Sequence, residues 1–456
     1  MNTTFDKLVI KYNQPVPRYT SYPTVPFWKD ELDTTRWKQL VKQQFSFHNS
    51  KEGISLYIHL PFCESLCTYC GCNKKITSNH SVEEEYLATI EKEFLLYLDL
   101  LKETPLIREI HLGGGTPTFF SPKNLAKLIR LIKQRSVIHP KHEFSIEGHP
   151  NNTTREHLKT LYDLGFRRIS YGVQDNDPEV QHIINRIQPL ENVMNATTMA
   201  REIGFKSVNF DLIYGLPKQT LQSISKTFEQ VLKLKPDRIA FYSYAHVPWT
   251  SRGQRLFDEN DLPSPEEKIQ LYLKGKEILI NSGYTDIGMD HFALPTDTLY
   301  DAWVDGTLHR NFMGYTTQHT SILLGLGVSS ISDIGVGFAQ NKKTLHEYYA
   351  CIKANELPVF RGYFLNKEDI AFRKYILNIS CQGKTTFDPA DIEILKQFSF
   401  PVLEKLEEDK LIEWNESGLT VTALGRHFIR NICSAFDLYL RRNKEEKSKP
   451  LYSKAI

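Results

Sequence analysis

Residues 54–72 read Ile54-Ser-Leu-Tyr-Ile-His-Leu-Pro-Phe-Cys63-Glu-Ser-Leu-Cys67-Thr-Tyr-Cys70-Gly-Cys72, an apolar run that leads directly into four cysteines. The first seven residues show the apolar alternation of a β-strand. The first three thiols are spaced by three and then two residues, so a loop can bring them to one centre. Soft thiolates favour an iron–sulfur cluster or zinc. The stretch therefore predicts a strand followed by a metal-binding loop.

The spacing leaves the kind of metal open. A zinc site would take Cys72 or His59 as its fourth ligand, but structural zinc sites usually use paired short spacings at two places in a chain. Three thiolates on a four-iron cluster would leave one iron open to an exogenous ligand, as a catalytic centre requires. The remaining cysteines are expected to pack as small buried apolar groups: Cys351, Cys381 and Cys433.

Strand-like and helix-like segments alternate on the C-terminal side of this stretch. The predicted strands are residues 54–60, 109–112, 143–146, 168–173, 207–213 and 238–244, and the helices that follow them are 83–102, 122–134, 155–164, 190–203, 221–234 and 265–281. Six such pairs predict a parallel α/β sheet with right-handed crossovers. A doubly wound sheet and a curved, incomplete barrel both remain open. In either fold, functional residues should collect at the C-terminal ends of the strands.

Two further regions flank this α/β region, so we predict domains at 1–50, 51–364 and 365–456. The N-terminal arm, residues 1–50, contains an extended, ordered loop over 17–24, which includes two prolines. The C-terminal domain is expected to be mostly helical, with helices over 367–377, 391–398 and 425–440. A small hairpin is predicted from 411–414 and 419–422.

Composition excludes several classes of partner. The formal net charge of +2 over 456 residues does not indicate an extended basic surface for binding nucleic acid. No apolar run approaches the roughly 20 residues that span a bilayer, and residues 1–12 lack the apolar core of a secretory signal. The clustered cysteines argue for metal ligation in a reducing compartment rather than a disulfide framework. We therefore expect a cytoplasmic protein, and a monomer is the simplest assembly.

The cysteine motif resembles the signature of the radical S-adenosylmethionine (SAM) superfamily. Other stretches resemble one family within it, the oxygen-independent coproporphyrinogen III dehydrogenases. They include Pro-Arg-Tyr-Thr-Ser-Tyr-Pro-Thr at 17–24, Cys-Gly-Cys-Asn-Lys at 70–74 and Gly-Gly-Gly-Thr-Pro-Thr at 113–118. The remaining matches are at 172–175, 211–217, 244–246, 288–293 and 430–433. The resemblance runs nearly from end to end and is far more specific than the cysteine triplet.

This resemblance implies an incomplete (β/α)6 TIM-like barrel that carries one 4Fe-4S cluster on Cys63, Cys67 and Cys70. It also implies two bound SAM molecules and a one-electron donor such as flavodoxin or ferredoxin. The implied substrate is coproporphyrinogen III. A 5′-deoxyadenosyl radical takes hydrogen from a propionate side chain, and loss of carbon dioxide and one electron leaves a vinyl group. Two propionates react, which gives protoporphyrinogen IX.

The resemblance also assigns site residues, which are numbered here in this sequence. The first, cluster-bound SAM takes Tyr57, Gly114, Glu147 and Ile331, and the second takes Tyr69, Gly115, Thr116, Gln174, Arg186, Asp211 and Ala245. The candidate catalytic residues are Glu147, Tyr57, His59 and Cys72. The substrate carries four carboxylates, so cationic and phenolic residues are candidates for binding it: Arg18, Tyr19, Tyr22, Arg310 and Arg430.

The chain departs from the family pattern in two places. The family commonly has glutamine where this chain has Met313, and methionine cannot donate a hydrogen bond. Glu147 is followed by Gly148 and His149, where the family usually has an acidic residue before the proline. Both departures are expected near the first SAM site.

Three other functions remain open on the same residues. They are a haem-binding chaperone on this scaffold, a related enzyme that methylates or opens haem, and a zinc-stabilised binding protein. Members of the chaperone branch usually lack Cys72 and the motif at residues 17–24, which are both present here.

Overall fold

A parallel sheet forms the centre of the computed structural model, which describes residues 4–249, 251–442 and 452. Its six consecutive strands are β1 Ile54–Leu60, β2 Leu106–Gly114, β3 Val137–Gly148, β4 Phe166–Gln174, β5 Ser207–Tyr214 and β6 Arg238–Ser243. Each strand pairs in parallel with the next one along the chain. The strand order therefore has no reversal, as a doubly wound sheet would require, and the barrel-type alternative is confirmed.

A helix follows each strand and packs on the sheet. The helices are α1 Val82–Leu101, α2 Pro122–Gln134, α3 Arg155–Asp163, α4 Leu190–Ile203, α5 Leu221–Lys233 and α6 Pro265–Asn281. Thr154, Thr220 and Ser264 form capping boxes at the N-termini of α3, α5 and α6. Gly204 ends α4 in the left-handed conformation, with φ 109°. These local signals explain why the predicted helix positions are confirmed.

Further strands extend the sheet at both edges. Next to β1, Leu323–Leu326 pairs in parallel, and the antiparallel strands Ile331–Asp333, Gly337–Asn341, Val359–Phe364 and Lys29–Asp30 follow in that order. Next to β6 lie His291–Ala293 and Thr285–Gly288, which are also antiparallel. Within the described ranges the two outer edges do not pair with each other. The barrel is therefore incomplete.

Buried polar side chains fill the N-terminal end of the barrel. Glu109 accepts hydrogen bonds from Ser55 at 2.9 Å and Thr316 at 3.1 Å. Glu143 accepts from Arg168 at 2.9 Å and from Thr317 at 3.0 Å. Both carboxylates are thus satisfied by residues of the strands and of the crossing segment 316–317. This packing leaves the opposite, C-terminal edge of the strands for a site.

The N-terminal arm and the C-terminal domain share a second hydrophobic core. Leu8, Val9, Tyr19 and Tyr22 of the arm pack there with buried residues between 372 and 438. The arm contains the helix Thr4–Tyr12 and most of Thr34–Glu52, which runs past the predicted boundary at residue 50. The helices of the C-terminal domain are Lys367–Gln382, Ile392–Ile394, the π-helix Leu395–Ser399, Phe400–Glu408, Ile429–Ser434 and Leu438–Arg442. Its small sheet has strands Lys384–Thr386, Gly418–Val421 and Ile412–Asn415, so the predicted hairpin is confirmed. Shorter elements elsewhere are Phe62–Cys63, Lys75–Ile76, Pro178–Ile183, Thr298–Val304, His309–Asn311, Gly314–Thr316 and Leu345–Lys353.

The predicted continuous helix over 425–440 is wrong, because the chain there is broken into three pieces. A 3-10 turn, Gly425–Phe428, precedes Ile429–Ser434, and Leu438–Arg442 follows after a gap. The arm supplies the reason. The N–H of Leu438 donates to the Tyr22 hydroxyl at 3.1 Å, and Asp437 accepts from the Tyr19 hydroxyl at 3.0 Å. Tertiary hydrogen bonds thus replace helical ones.

In the part of the chain that the structure describes, no helix is both long and apolar enough to cross a bilayer.

Candidate functional site

The cysteine loop leaves the C-terminal end of β1 and folds back beside it. Phe62–Cys63 pairs in parallel with Lys75–Ile76, and the N–H of Thr77 donates to the Cys63 carbonyl at 2.9 Å. Lys74 Nζ donates to the Cys70 carbonyl at 2.9 Å and is 3.4 Å from that of Cys72. These bonds close the loop on itself. All four of its thiols line one cavity of about 830 Å³.

Donor groups point at the sulfur atoms from outside the loop. The Thr116 hydroxyl donates to Cys63 Sγ at 3.3 Å, and Arg186 Nη1 donates to Cys67 Sγ at 3.6 Å. A hydrogen bond with Cys72 lowers the pKa of Cys70 to about 6, whereas burial raises the pKa of Cys63 to about 11. All seven cysteines are free thiols. The three spaced thiols thus share one cavity with donors that would stabilise thiolates.

His59 is engaged on both ring nitrogens. Its Nε2 lies 2.9 Å from the Asn73 carbonyl oxygen, which can only accept, so Nε2 carries the proton. Nδ1 then accepts from the Tyr57 hydroxyl at 3.0 Å. Burial lowers the pKa of His59, which keeps the ring neutral. With both nitrogens used, His59 has no lone pair for a metal, and no described group of three His, Cys, Asp or Glu side chains is close enough to hold a single metal ion.

Two adjacent cavities divide the residues that the sequence assigned to two cofactors. The cavity of about 830 Å³ is lined by Tyr69, Gly115, Thr116, Gln174, Arg186 and Asp211. A second cavity, of about 420 Å³, is lined by Tyr57, His59 and Ile331. Gly114, Glu147 and Cys72 line both. We call these the larger and the smaller cavity.

Glu147, near the end of β3, is held by two donors. His111 Nε2 donates to Oε1 at 3.3 Å, and the N–H of Gly114 donates to Oε2 at 3.1 Å. The Glu147 carboxylate can only accept, so Nε2 of His111 carries the proton and Nδ1 accepts from the Ser145 hydroxyl at 2.7 Å, whose oxygen also accepts from Arg168 at 3.0 Å. Burial raises the pKa of Glu147, but the His111 and Gly114 hydrogen bonds outweigh it, and the net pKa is lowered. Glu147 is therefore a carboxylate at neutral pH.

The three glycines at the end of β2 make room for side chains of the site. A Cβ on Gly113 would meet Glu147 and Tyr57, each at 3.0 Å, and one on Gly115 would meet the Pro61 carbonyl at 2.5 Å. At Gly114, where φ is +122°, a Cβ would meet the His59 ring at 2.8 Å. The sequence suggested that these glycines let a ligand approach the backbone. In the structure, protein groups take that space.

Gly114→Ala is expected to destabilise the protein by about 1–3 kcal/mol through the strained φ and the collision with the His59 ring. Gly283→Ala is the matched control, because Gly283 has φ +88° with nothing within 4 Å of its Cβ direction. The free energy of unfolding of both variants, measured with denaturant, separates the effect of the positive φ from the effect of the collision with the His59 ring. Equal losses in the two variants would show that the His59 contact contributes nothing.

The larger cavity is lined by a cation, Arg186 in the loop between β4 and α4, and by an acid, Asp211 on β5. Arg186 Nη2 donates to the Gly172 carbonyl at 2.5 Å, and its buried Nε has no hydrogen-bond partner among the described residues. Asp211 accepts from Ser170 at 3.0 Å and from Asn209 at 2.9 Å. Burial, aided by the charge of Glu147, raises the pKa of Asp211 to about 6. The cavity can therefore receive both an anionic group and a hydrogen-bond donor.

Some predicted positions lie elsewhere, and some lining residues were missed. Ala245 lines neither cavity, and its carbonyl accepts from Gln254, which also donates to the Tyr69 carbonyl, both at 3.1 Å. His111 and Tyr242 were missed, although Tyr242 lines the larger cavity. Strand alternation could have found His111. It lies two residues from both Glu109 and Gly113 on β2, so its side chain lies on the same face of the sheet as theirs.

The two departures from the family pattern fall in different cavities. Met313 lines the smaller cavity, whereas Gly148 and His149 line the larger. Burial, with a contribution from the charge of Arg186, lowers the pKa of His149 to about 3, so this ring is neutral. The second departure therefore concerns the larger cavity as well as Glu147, which borders both.

Three of the five candidates for substrate binding hold the arm in place. Tyr19 and Tyr22 are buried with their hydroxyls bonded to the C-terminal domain. Arg430 is also buried, and it donates to the Val16 and Pro17 carbonyls. Arg18 and Arg310 remain as candidates, and the guanidinium of Arg18 lies 5.7 Å from the ring of Tyr242, which lines the larger cavity.

Comparisons with known proteins agree with this geometry. The family model described as "Radical SAM superfamily" matches residues 57–231. Oxygen-independent coproporphyrinogen III oxidase of Escherichia coli (strain K12) is 40% identical over 441 residues, which cover 95% of each chain. The enzyme of the same name from Helicobacter pylori (strain J99) is 39% identical over 454 residues, covering 97% of this chain and 98% of its own.

A solved structure gives the same result in three dimensions. Coproporphyrinogen III oxidase from Escherichia coli, described as a radical SAM enzyme, superimposes with a TM-score of 0.87 at 38% identity. The match covers 94% of this chain and 100% of that one. The shared fold thus includes the arm, the barrel and the C-terminal domain together.

Proposed function

We propose that this chain, which belongs to the family of oxygen-independent coproporphyrinogen III oxidases within the radical SAM superfamily, oxidatively decarboxylates coproporphyrinogen III. Two propionate side chains become vinyl groups, and the product is protoporphyrinogen IX, a step of haem biosynthesis. The observation that carries the proposal is the convergence of the cysteine loop and Glu147 on one cavity at the C-terminal ends of the strands.

The thiols of Cys63, Cys67 and Cys70 fit a 4Fe-4S cluster. They line one cavity, hydroxyl and guanidinium donors point at two of them, and His59 is engaged elsewhere. When bound, the cluster and SAM would together supply a carbon-centred radical able to remove hydrogen from the substrate. The surrounding residues hold these groups and exclude water from them.

We propose that the cluster-bound SAM occupies the smaller cavity and reaches the cluster where the two cavities meet, at Gly114, Glu147 and Cys72. Its ammonium would be held by Glu147, which is already anionic and oriented by His111 and Gly114. Tyr57 and Ile331 form other parts of the wall. The proposed catalytic residues are Tyr57, His59, Cys72 and Glu147. The Tyr57 hydroxyl donates a hydrogen bond to His59 Nδ1, which fixes both side chains.

The larger cavity is our proposed site for a second SAM. Six of the seven assigned residues line it, and Ala245 is tied to Tyr69 through Gln254. The partnerless Nε of Arg186 suits a carboxylate, and Asp211 suits a hydroxyl or ammonium donor. The count of two cofactors rests on this division of residues between the cavities.

The partners follow from the reaction. Reduction of the cluster needs a one-electron donor, and flavodoxin or ferredoxin is the class we propose. We also propose a cytoplasmic monomer with the domain division given above, at residues 50 and 364.

An anaerobic assay tests the function. Reconstituted protein is given reductant, SAM and coproporphyrinogen III, and protoporphyrinogen IX and 5′-deoxyadenosine are measured together. Formation of both supports the proposal. If 5′-deoxyadenosine forms without any vinyl product, the substrate is wrong. If neither forms although iron and sulfide analysis shows a complete cluster, the haem-binding alternative replaces the enzyme.

A further inference from the structure

A buried guanidinium close to Arg18 has no carboxylate within ion-pair distance among the described residues. Arg310, on the short strand His309–Asn311, is only 6% exposed. Its Nε and Nη1 have no hydrogen-bond partner among the described residues, and Nη2 lies at a long 3.4 Å from the Arg18 carbonyl. The ring of Tyr315 lies 4.8 Å from the guanidinium carbon. Burial of a charge with so few partners is costly unless an anion balances it.

Arg18 connects this charge to the cavity. Its Nη2 donates to the carbonyl of Ser243, the last residue of β6, at 2.9 Å. Its guanidinium lies 5.7 Å from the ring of Tyr242, which lines the larger cavity. The side chain of Arg18 is 32% exposed. Arg18 therefore stands at the C-terminal end of the barrel and is accessible to a ligand there.

The neighbourhood carries excess positive charge. Asp290 is 3.9 Å from Arg18 Nη1, and no other described carboxylate is within ion-pair distance of Arg18 or Arg310. Arg430 is close enough that, after burial, the charge of Arg18 is the next cause that lowers its pKa to about 10. Asp290 is thus the only described carboxylate that pairs with either Arg18 or Arg310, and it does so at a long distance. Such a site attracts an anionic ligand group.

We infer that Arg18 and Arg310 form the recognition site for a carboxylate of the porphyrinogen substrate. Arg18 contacts the carboxylate, and Arg310 acts as a positioning residue that supports the Arg18 backbone and adds charge behind it. The inference rests on the proposed function, whose substrate carries four carboxylates. It selects two of the five sequence candidates and assigns the other three to the packing of the arm.

Binding of coproporphyrin III, the stable oxidised form of the substrate, and of its tetramethyl ester tests the inference. Dissociation constants are measured by fluorescence with reconstituted protein for Arg18→Gln, Arg310→Gln and Arg310→Lys. Arg167→Gln is the control, since Arg167 donates to the carbonyls of Tyr162 and Phe166. Arg18→Gln and Arg310→Gln are expected to bind the tetra-acid about tenfold more weakly. Ester binding should not change, and Arg310→Lys should keep most of the affinity.

The outcomes separate this inference from the proposed function. If wild-type protein forms protoporphyrinogen IX and both glutamine variants bind the tetra-acid as tightly as wild type, the inference fails and the function stands. If the acid-specific loss occurs but wild type forms no vinyl product, the function fails and the carboxylate site stands. Arg18→Gln decides the matter if Arg310→Gln does not fold, because Arg18 is partly exposed.

Discussion

Replacing Cys63, Cys67 or Cys70 singly with alanine is expected to abolish both cluster binding and product formation. Each removes one of three thiols that line the same cavity. His59 cannot take the place of a lost thiol, because both of its ring nitrogens are engaged. Iron and sulfide content, the visible absorption of the cluster and 5′-deoxyadenosine yield measure the effect. All three should fall to background.

Cys351→Ala is the matched control. Cys351 lies in the helix Leu345–Lys353, half-buried and remote in sequence from the loop, so its loss should leave cluster content unchanged. Circular dichroism should show that all four variants fold. A full complement of iron and sulfide in any of the three loop variants would contradict the assignment of that cysteine.

Glu147→Gln is expected to weaken SAM binding by about 10- to 100-fold, through loss of a charge-assisted hydrogen bond. A second effect adds to this loss. The carboxylate accepts from both His111 and Gly114, whereas a glutamine offers one acceptor oxygen and must turn its NH2 group toward one of these donors. The change therefore perturbs the site even before a ligand binds.

Equilibrium dialysis of SAM with reconstituted protein measures this effect. Glu156→Gln, which removes an exposed carboxylate at the start of α3, should bind as wild type. The lowered pKa of Glu147 sets the pH dependence: its charge is present above the usual carboxyl pKa and is lost only as pH falls below it. Titration of Glu147 should therefore not reduce the affinity of the wild-type protein for SAM between pH 6 and 8. Unchanged affinity in Glu147→Gln would refute its proposed role.

The barrel could be predicted from the sequence because its signals are local. Each strand and helix has its own apolar pattern, and caps such as Thr154 and Thr220 fix where helices begin. The choice between a barrel and a doubly wound sheet depends on the strand order, which periodicity does not contain. The broken helix after Gly425 was not predictable, because Tyr19 and Tyr22 cause the break from more than 400 residues away.

The candidate site was predictable where a motif carried it. The cysteine spacing and Glu147 came from the sequence, and the structure brings them to one cavity. Tyr242 and the partnerless donors of Arg310 were not predictable, because exposure and missing partners are properties of the packed molecule. The same holds for Arg430, whose charge suggested substrate and whose surroundings make it an anchor for the arm.

The shared core of the arm and the C-terminal domain bears on how the protein is made. Tyr19 and its partner Asp437 are 418 residues apart in the chain. During synthesis the barrel strands leave the ribosome long before the residues that fix the arm, and domains generally fold as they emerge. The cysteine loop can thus form while Arg18 is still unplaced. The barrel strands and the cysteine loop are therefore complete in the nascent chain well before the residues that fix the arm have been made.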